Sequence, residues 1–332
     1  MEKISVLGAG AWGTALAALL ADNGHDVELW ALEGEVVASV NGTYENSVYL
    51  PGVKLPKGIK AHADLDTALA GARMIVNVVP SHGVRGIFEK ARDFIEPGAV
   101  IASATKGIEE ETLKTPSGVL TDLLGDRFDI VALSGPSFAK EVILKLPTAV
   151  SAASGSAEAA AYVQRAFSSE HFRVYTNTDI IGVELGGALK NVIAVASGIS
   201  DGLKLGHNAR AALITRGLSE MSSLGIALGA KPATFSGLSG LGDLVLTCTG
   251  PLSRNYTLGR AIGAGGKLTE LLEGVKTVAE GVKTSKAARA LASKLGVEMP
   301  ITEAVCRVLY EGKSPKDAVR ELMERELTHE RQ

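Results

Sequence analysis

A lysine and an asparagine, Lys190 and Asn191, interrupt a run otherwise suited to burial, with Leu185-Gly186-Gly187-Ala188-Leu189 before them and Val192-Ile193-Ala194 after. A charge in such a run must be paired, be put to use, or snorkel to a helix edge. Partial desolvation lowers a lysine's pKa toward working pH, which suits it to give and take a proton. Downstream, Gly242-Asp243-Leu244 opens an apolar run that ends at Thr247-Cys248-Thr249, and Ser253-Arg254-Asn255 follows. Asp243 is a natural partner for a buried lysine, or else a helix cap. Arg254 beside Asn255 near a helix start suits a phosphate, because Arg offers a fork of donors and the helix end adds more; the plainer reading is a surface charge.

The strongest local motif is Gly8-Ala9-Gly10-Ala11-Trp12-Gly13, directly after an apolar strand-like run and opening a helix over Thr14 to Asp22. In that context the first glycine makes the turn, the second lets backbone approach a pyrophosphate, and the third lets helix pack on strand. The helix N-terminus adds free N–H groups and partial positive charge. This implies a dinucleotide cofactor. Near the end of the second strand, where an acidic residue holds a ribose 2′-hydroxyl and an arginine accommodates a 2′-phosphate, the chain reads Trp30-Ala31-Leu32-Glu33. Glu33 could accept from the ribose and repel a phosphate, or be helix N-terminal charge; the missing arginine favours NAD over NADP.

These residues need a frame that brings them together. From Met1 to about Tyr175, short β-branched runs alternate with amphipathic segments, the pattern of a parallel sheet with crossover helices. Strands are predicted at Lys3 to Leu7, Val27 to Trp30, Met74 to Val79, Ala99 to Ala104, Asp129 to Leu133 and Thr148 to Ala153, with helices at Ala15 to Ala21, Ala63 to Ala70, Val84 to Phe94 and Ala157 to Phe167. After about Thr176 helical spacing takes over. The expected architecture is α/β: a Rossmann-like, doubly wound, mostly parallel sheet over residues 1–176, then an all-helical substrate and catalytic domain over 177–332. The last helix has Ser314 as N-cap, Pro315 at its first position and Asp317 three residues after the cap.

Open α/β sheets bind ligands at the carboxyl ends of their strands. Those positions hold Pro80-Ser81-His82, Thr105-Lys106-Gly107 and Ser134-Gly135-Pro136-Ser137-Phe138. Lys106, between small residues at this edge, is a candidate for function, whereas His82 reads as the start of a helix.

Composition narrows the classes. The 332 residues carry 34 Lys+Arg against 37 Asp+Glu, a formal net charge of −3, and are 46% hydrophobic. That argues against a disordered chain and against a basic nucleic-acid binder. Cys248 and Cys306 lack metal-ligand spacing and read as reduced thiols, no two histidines fall within a helical turn of each other, and no metal is expected. No uncharged run suggests a membrane span and no signal peptide is evident, so the expectation is a cytoplasmic protein. The helical half has apolar surface enough for a homodimer.

Taken together, GAGAWGTALA at 8–17, VPSH at 79–82, TKG at 105–107, SGPSFAKEV at 134–142, LGGALKNVIA at 185–194, GHNARAALITRGLSEM at 206–221, GLSGLGDLVLTC at 237–248 and SRNYTLG at 253–259 resemble the bacterial NAD(P)-dependent sn-glycerol-3-phosphate dehydrogenases, over nearly the whole chain. The resemblance implies hydride transfer between NAD or NADP and dihydroxyacetone phosphate, giving sn-glycerol 3-phosphate for phospholipid synthesis. It implies that Lys190 is the proton donor and acceptor and that Lys106 contacts both cofactor and substrate. It implies substrate contacts at Gly135, Ser137, Asp243, Ser253, Arg254 and Asn255, with Asn191 and Thr247 close by. Cofactor contacts are implied at Trp12, Ala139, Arg254, Val278 and Glu280. Leu32 departs from the family pattern, which often has an arginine there for the 2′-phosphate. Two other readings fit the residues: a sister reductase of a small oxo or hydroxy acid, with Arg254 and Asn255 on a carboxylate, and a non-catalytic dinucleotide sensor, which would have no use for Lys190.

Overall fold

The computed structural model describes residues 2–273, 279–327 and 329. Among them the chain forms β1 (Lys3–Leu7), β2 (Asp26–Trp30), β3 (Ile59–His62), β4 (Met74–Asn77), β5 (Val100–Ser103), β6 (Ile130–Ser134), β7 (Thr148–Ala153) and β8 (Phe172–Asn177). These strands make one sheet in the order β3-β2-β1-β4-β5-β6-β7-β8. All neighbouring pairs are parallel except β6 with β7, where Leu133 faces Ala152 in antiparallel register. The order reverses at β1, which puts a ligand crevice at its carboxyl end.

Strand β4 is buried at every position, as expected for a strand covered on both faces. The cover comes from α1 (Ala11–Asp22), α2 (Gly34–Thr43), α3 (Leu65–Leu69), α4 (Val84–Ala91), α5 (Pro116–Leu124), α6 (Ala139–Ile143) and α7 (Ala157–Phe167). One core gathers Val6, Leu16, Leu29 and Val163; the other gathers Leu7, Ile75, Phe88 and Leu120. Neighbours along β1 thus go to opposite faces, as the period of two requires.

Strands β3 and β8 are absent from the sequence-based expectation, and both lie at sheet edges. In β8, Phe172 and Val174 are buried while Arg173 and Tyr175 are exposed, so no continuous apolar run marks it. Strand β3 has only four residues, with Lys60 exposed. Helices α2, α5 and α6 also went unpredicted.

Beyond β8 the described chain is helical: α8 (Ile180–Gly202), α9 (Gly206–Ala227), α10 (Pro232–Phe235), a π turn at Leu238–Gly242, α11 (Asp243–Thr249), α12 (Arg254–Gly263), α13 (Leu268–Leu272), α14 (Glu280–Leu295), α15 (Pro300–Tyr310) and α16 (Pro315–Met323). Helix α8 is the axis, buried continuously from Gly182 to Ser200. By length and composition it could cross a membrane, but here it is the core helix around which the others pack. Helix α12 crosses it backbone to backbone: a Cβ on Gly198 would run into the Tyr256 carbonyl, and one on Gly259 into that of Val195. Only glycine allows so close an approach; overpacking of this kind costs about 1–3 kcal/mol. The cap of α16 forms as expected, Ser314 Oγ accepting from the Asp317 N–H at 3.1 Å.

Candidate active site

The turn from β1 into α1 shows the three glycines in three distinct roles. Gly8 has φ +112°, and a Cβ there would lie 2.9 Å from the Val78 carbonyl. At Gly13 a Cβ would run into the Gly8 carbonyl oxygen, so helix and strand can pack only without it. Gly10 has no atom within 4 Å of where its Cβ would be. That open space lies at the first turn of α1, where Thr14 is the first residue to bond its N–H back, to Gly10 O at 2.9 Å, leaving the N–H groups of Ala11, Trp12 and Gly13 without intrahelical acceptors. A backbone cradle, unspent donors and a helix N-terminus suit a dinucleotide's pyrophosphate. Trp12 Nε1 is buried and has no acceptor among the described residues. Ala139, the first residue of α6, packs with Trp12 against the same core.

Two residues invisible in the sequence hold this loop. Asn46, fully buried, donates through Nδ2 to Ala9 O at 2.7 Å and to Thr14 Oγ1 at 2.8 Å. Its Oδ1 accepts from the Tyr49 N–H, and the Tyr49 hydroxyl donates to Glu33 Oε1 at 2.7 Å. That bond to a carboxylate pushes the Tyr49 pKa up to about 12. Glu33 occupies the N-cap position of α2 without making a side-chain cap bond. Its neighbour Leu32 is 75% exposed. A lone asparagine and tyrosine in a loop carry no periodic signal, which is why sequence reasoning passed over them.

At the carboxyl ends of β5 and β6, polar residues of the sheet half and the helical half converge. Asp243, fully buried at the start of α11, receives two ammonium groups: Lys190 Nζ on Oδ1 and Lys106 Nζ on Oδ2 at 2.6 Å. Lys190 comes from the middle of α8, is 6% exposed, and also donates to Thr247 Oγ1 at 2.8 Å. Thr247 Oγ1 donates to the Asp243 carbonyl one turn back. Lys106, at the carboxyl end of β5, reaches Gly135 O at 3.3 Å as well, and Ser137 Oγ donates to that carbonyl at 2.9 Å. Unpaired, a buried ammonium would cost several kcal/mol; the shared carboxylate is what lets Lys190 stay in the core. Burial nevertheless lowers the Lys190 pKa from 10.5 to about 8, Asp243 pulling it up and Lys106 pushing it further down. An ammonium so placed exchanges its proton near neutral pH.

A second set of contacts joins α8, α12 and α14. Asn255 donates to Asn191 Oδ1 at 2.9 Å and accepts from the Gly281 N–H at 2.9 Å. Asn191 Nδ2 lies 3.4 Å from Glu280 Oε2. Burial raises the Glu280 pKa, against the pull of Arg254, Lys106 and Lys190. Ser253 caps α12, its Oγ accepting from the Tyr256 N–H at 3.2 Å, and exposed Arg254 is the first residue of that helix. The N-terminus of α12, with Arg254, thus stands beside the lysine cluster. Val278 lies outside the described residues. His82 sits exposed in a short turn (Ser81–Gly83) leading into α4.

Known proteins resemble this chain over nearly its whole length. Residues 3–160 match the family described as NAD-dependent glycerol-3-phosphate dehydrogenase N-terminus, and residues 179–320 match the corresponding C-terminus. A protein of Citrifermentans bemidjiense named glycerol-3-phosphate dehydrogenase [NAD(P)+] is 55% identical over 331 residues, 99% of each chain. The crystal structure of a glycerol-3-phosphate dehydrogenase from Coxiella burnetii superposes with a TM-score of 0.94 at 44% identity, covering 98% of this chain and 99% of that one. The enzyme of Saccharomyces cerevisiae gives a TM-score of 0.82 at 28% identity, covering 98% and 99%.

Proposed function

Because the chain belongs to the NAD-dependent glycerol-3-phosphate dehydrogenase family, we propose that its paired lysines carry out the reversible reduction of dihydroxyacetone phosphate to sn-glycerol 3-phosphate. The observation that carries this assignment is the carboxylate of Asp243, gripped from both sides by Lys190 and Lys106 beside the N-terminus of α12. The protein is an NAD(P)-dependent oxidoreductase. When bound, the reduced nicotinamide supplies the hydride.

The chain's own residues do the rest. Hydride addition to a ketone leaves negative charge on its oxygen, and Lys190 Nζ donates the proton that neutralises it. In the reverse direction the neutral amine accepts that proton. Lys106 adds a second positive charge, while Asp243 and Thr247 orient Lys190. Arg254, Asn255 and Ser253 hold the substrate phosphate at the start of α12, where charged donors and the helix end act together, and Gly135, Ser137 and Asn191 complete the substrate contacts. Residues 1–176 hold most of the dinucleotide: Gly8, Gly10, Ala11, Trp12 and Gly13 at the pyrophosphate, Glu33 at the adenosine ribose and Ala139 near the remainder, to which the helical half adds Glu280. Residues 177–332 supply the remaining substrate contacts. A carboxylate at Glu33 without a cation at position 32 favours NAD over NADP.

The product feeds phospholipid synthesis in this reading, and the enzyme acts in the cytoplasm, in keeping with two free, buried cysteines. Exposed Leu205, Ile226, Leu241, Val245 and Leu252 on the helical half support a homodimer. The direct test is a steady-state assay with NADH. Oxidation with dihydroxyacetone phosphate, and not with hydroxypyruvate or ketopantoate, is expected; the opposite pattern would reject the assignment.

A further inference from the structure

Glu184 is 5% exposed, lies on α8 six positions before Lys190, and has no place in the chemistry above. Its carboxylate crosses from the helical half to the sheet half. There Oε1 accepts from the Ser117 N–H at 2.8 Å and Oε2 from the Ser117 hydroxyl. Ser117 is the second residue of α5, whose own N-cap residue, Thr115, makes no side-chain cap bond. One of the free N–H groups that a helix start leaves, that of Ser117, is therefore served here by a carboxylate from another helix. A capping bond of this kind can be supplied locally by Ser or Thr; supplied from α8, it also ties two elements together.

The segment ending at α5 begins with Lys106. It leaves β5 through Thr105, whose hydroxyl donates to Val79 O at 2.7 Å, and sends Ile108 into the helical core. Glu109 pins its middle, accepting from Arg85 Nε at 2.9 Å and Nη2 at 2.8 Å. One end of this segment therefore meets α8 through Asp243 and Lys190, and the other meets the same helix through Glu184.

We propose that Glu184 is a positioning residue for the reaction: by gripping the start of α5 from α8, it fixes where Lys106 and the nicotinamide side of the sheet stand relative to Lys190. This rests on the roles given above to Lys190 and Lys106. A displacement of about 1 Å between reacting groups costs on the order of 100-fold in rate, so a tether remote from the substrate has kinetic weight. Its signature is a loss in the hydride-transfer step with cofactor affinity retained.

The test compares Glu184→Ala, Glu184→Gln and Ser117→Ala with the wild type. It measures kcat, the KM for dihydroxyacetone phosphate, the Kd for NADH by fluorescence titration, and the isotope effect on kcat with deuterium at the transferred C4 position. For Glu184→Ala, kcat falls about 10- to 100-fold, the NADH Kd stays within about twofold, and the isotope effect rises as hydride transfer becomes rate-limiting. Glu184→Gln, whose amide oxygen still accepts from the Ser117 N–H, recovers most of kcat, and Ser117→Ala shows a smaller loss in the same direction. A folded Glu184→Ala enzyme with wild-type kcat and isotope effect overturns the proposal, as does a loss of NADH binding that matches the loss in kcat. If that variant does not fold, the other two decide, and wild-type kcat and isotope effect in both overturn it. Lys190→Ala, run alongside, separates the two ideas: its inactivity with an unaffected Glu184→Ala removes only the tether, whereas wild-type turnover by Lys190→Ala removes the assignment of Lys190 itself.

Discussion

Lys190 and Lys106 come from different halves of the chain and meet on opposite oxygens of one carboxylate, that of Asp243. Two like charges on a single buried anion leave a net positive site. This is the electrostatic condition for stabilising an oxygen that gains negative charge.

Replacing Lys190 with Met keeps the length of the side chain and removes its proton. Turnover is expected to fall by about 10²- to 10⁴-fold, the range for loss of a general acid, while NADH titration still shows binding. Wild-type turnover in that variant would revive the reading of the chain as a dinucleotide sensor.

The depressed pKa of Lys190, about 8, sets a pH dependence with a definite sign. Ketone reduction needs the ammonium, so its kcat should decline as pH rises through about 8. Glycerol 3-phosphate oxidation needs the neutral amine and should climb over the same interval. Asp243→Asn removes the group that raises this pKa and should move both limbs to lower pH. Profiles that coincide in the two directions would exclude Lys190 as the titrating group.

Arg254→Ala should act on binding more than on chemistry. Loss of a charge-assisted contact to phosphate, about 1.5–3 kcal/mol, corresponds to a KM for dihydroxyacetone phosphate higher by roughly 10- to 150-fold. An unchanged KM would take Arg254 out of the phosphate site.

The proposed preference for NAD rests on Glu33, held by Tyr49, beside exposed Leu32. The wild type should show a higher kcat/KM with NADH than with NADPH. Leu32→Arg should narrow that ratio by offering the 2′-phosphate a cation, and Glu33→Gln should narrow it by withdrawing the negative charge. Preference for NADPH in the wild type contradicts the reading.

Stability should respond at the crossing of α8 and α12. Gly198→Ala forces a methyl group into the Tyr256 carbonyl and is expected to cost about 1–3 kcal/mol in urea unfolding. Gly10→Ala, where a methyl group meets open space, should leave stability near wild type and weaken cofactor binding instead.

What the sequence discloses depends on how local the signal is. Lys190 stands out because a charge in a buried apolar run is costly, and Asp243 because such a charge needs a partner. Strand β4 is legible since both its faces are covered. Strand β8 is not, since Arg173 and Tyr175 face solvent and break its apolar run. The position of Lys106 at a strand's carboxyl end marks it as a candidate, but that it shares Asp243 with Lys190 is a fact of packing over 137 positions of chain. Asn46, Tyr49 and Glu184 act only through partners distant in sequence, and no spacing rule reaches them.

The glycine crossing of α8 and α12 works as a caliper. One jaw carries the proposed proton donor, the other the proposed phosphate grip, and at Gly198 and Gly259 main chain rests on main chain, with no side chain between to rotate. Such an instrument selects by length: erythrulose 4-phosphate, with one carbon more between carbonyl and phosphate than dihydroxyacetone phosphate, is expected to turn over far more slowly than the three-carbon substrate.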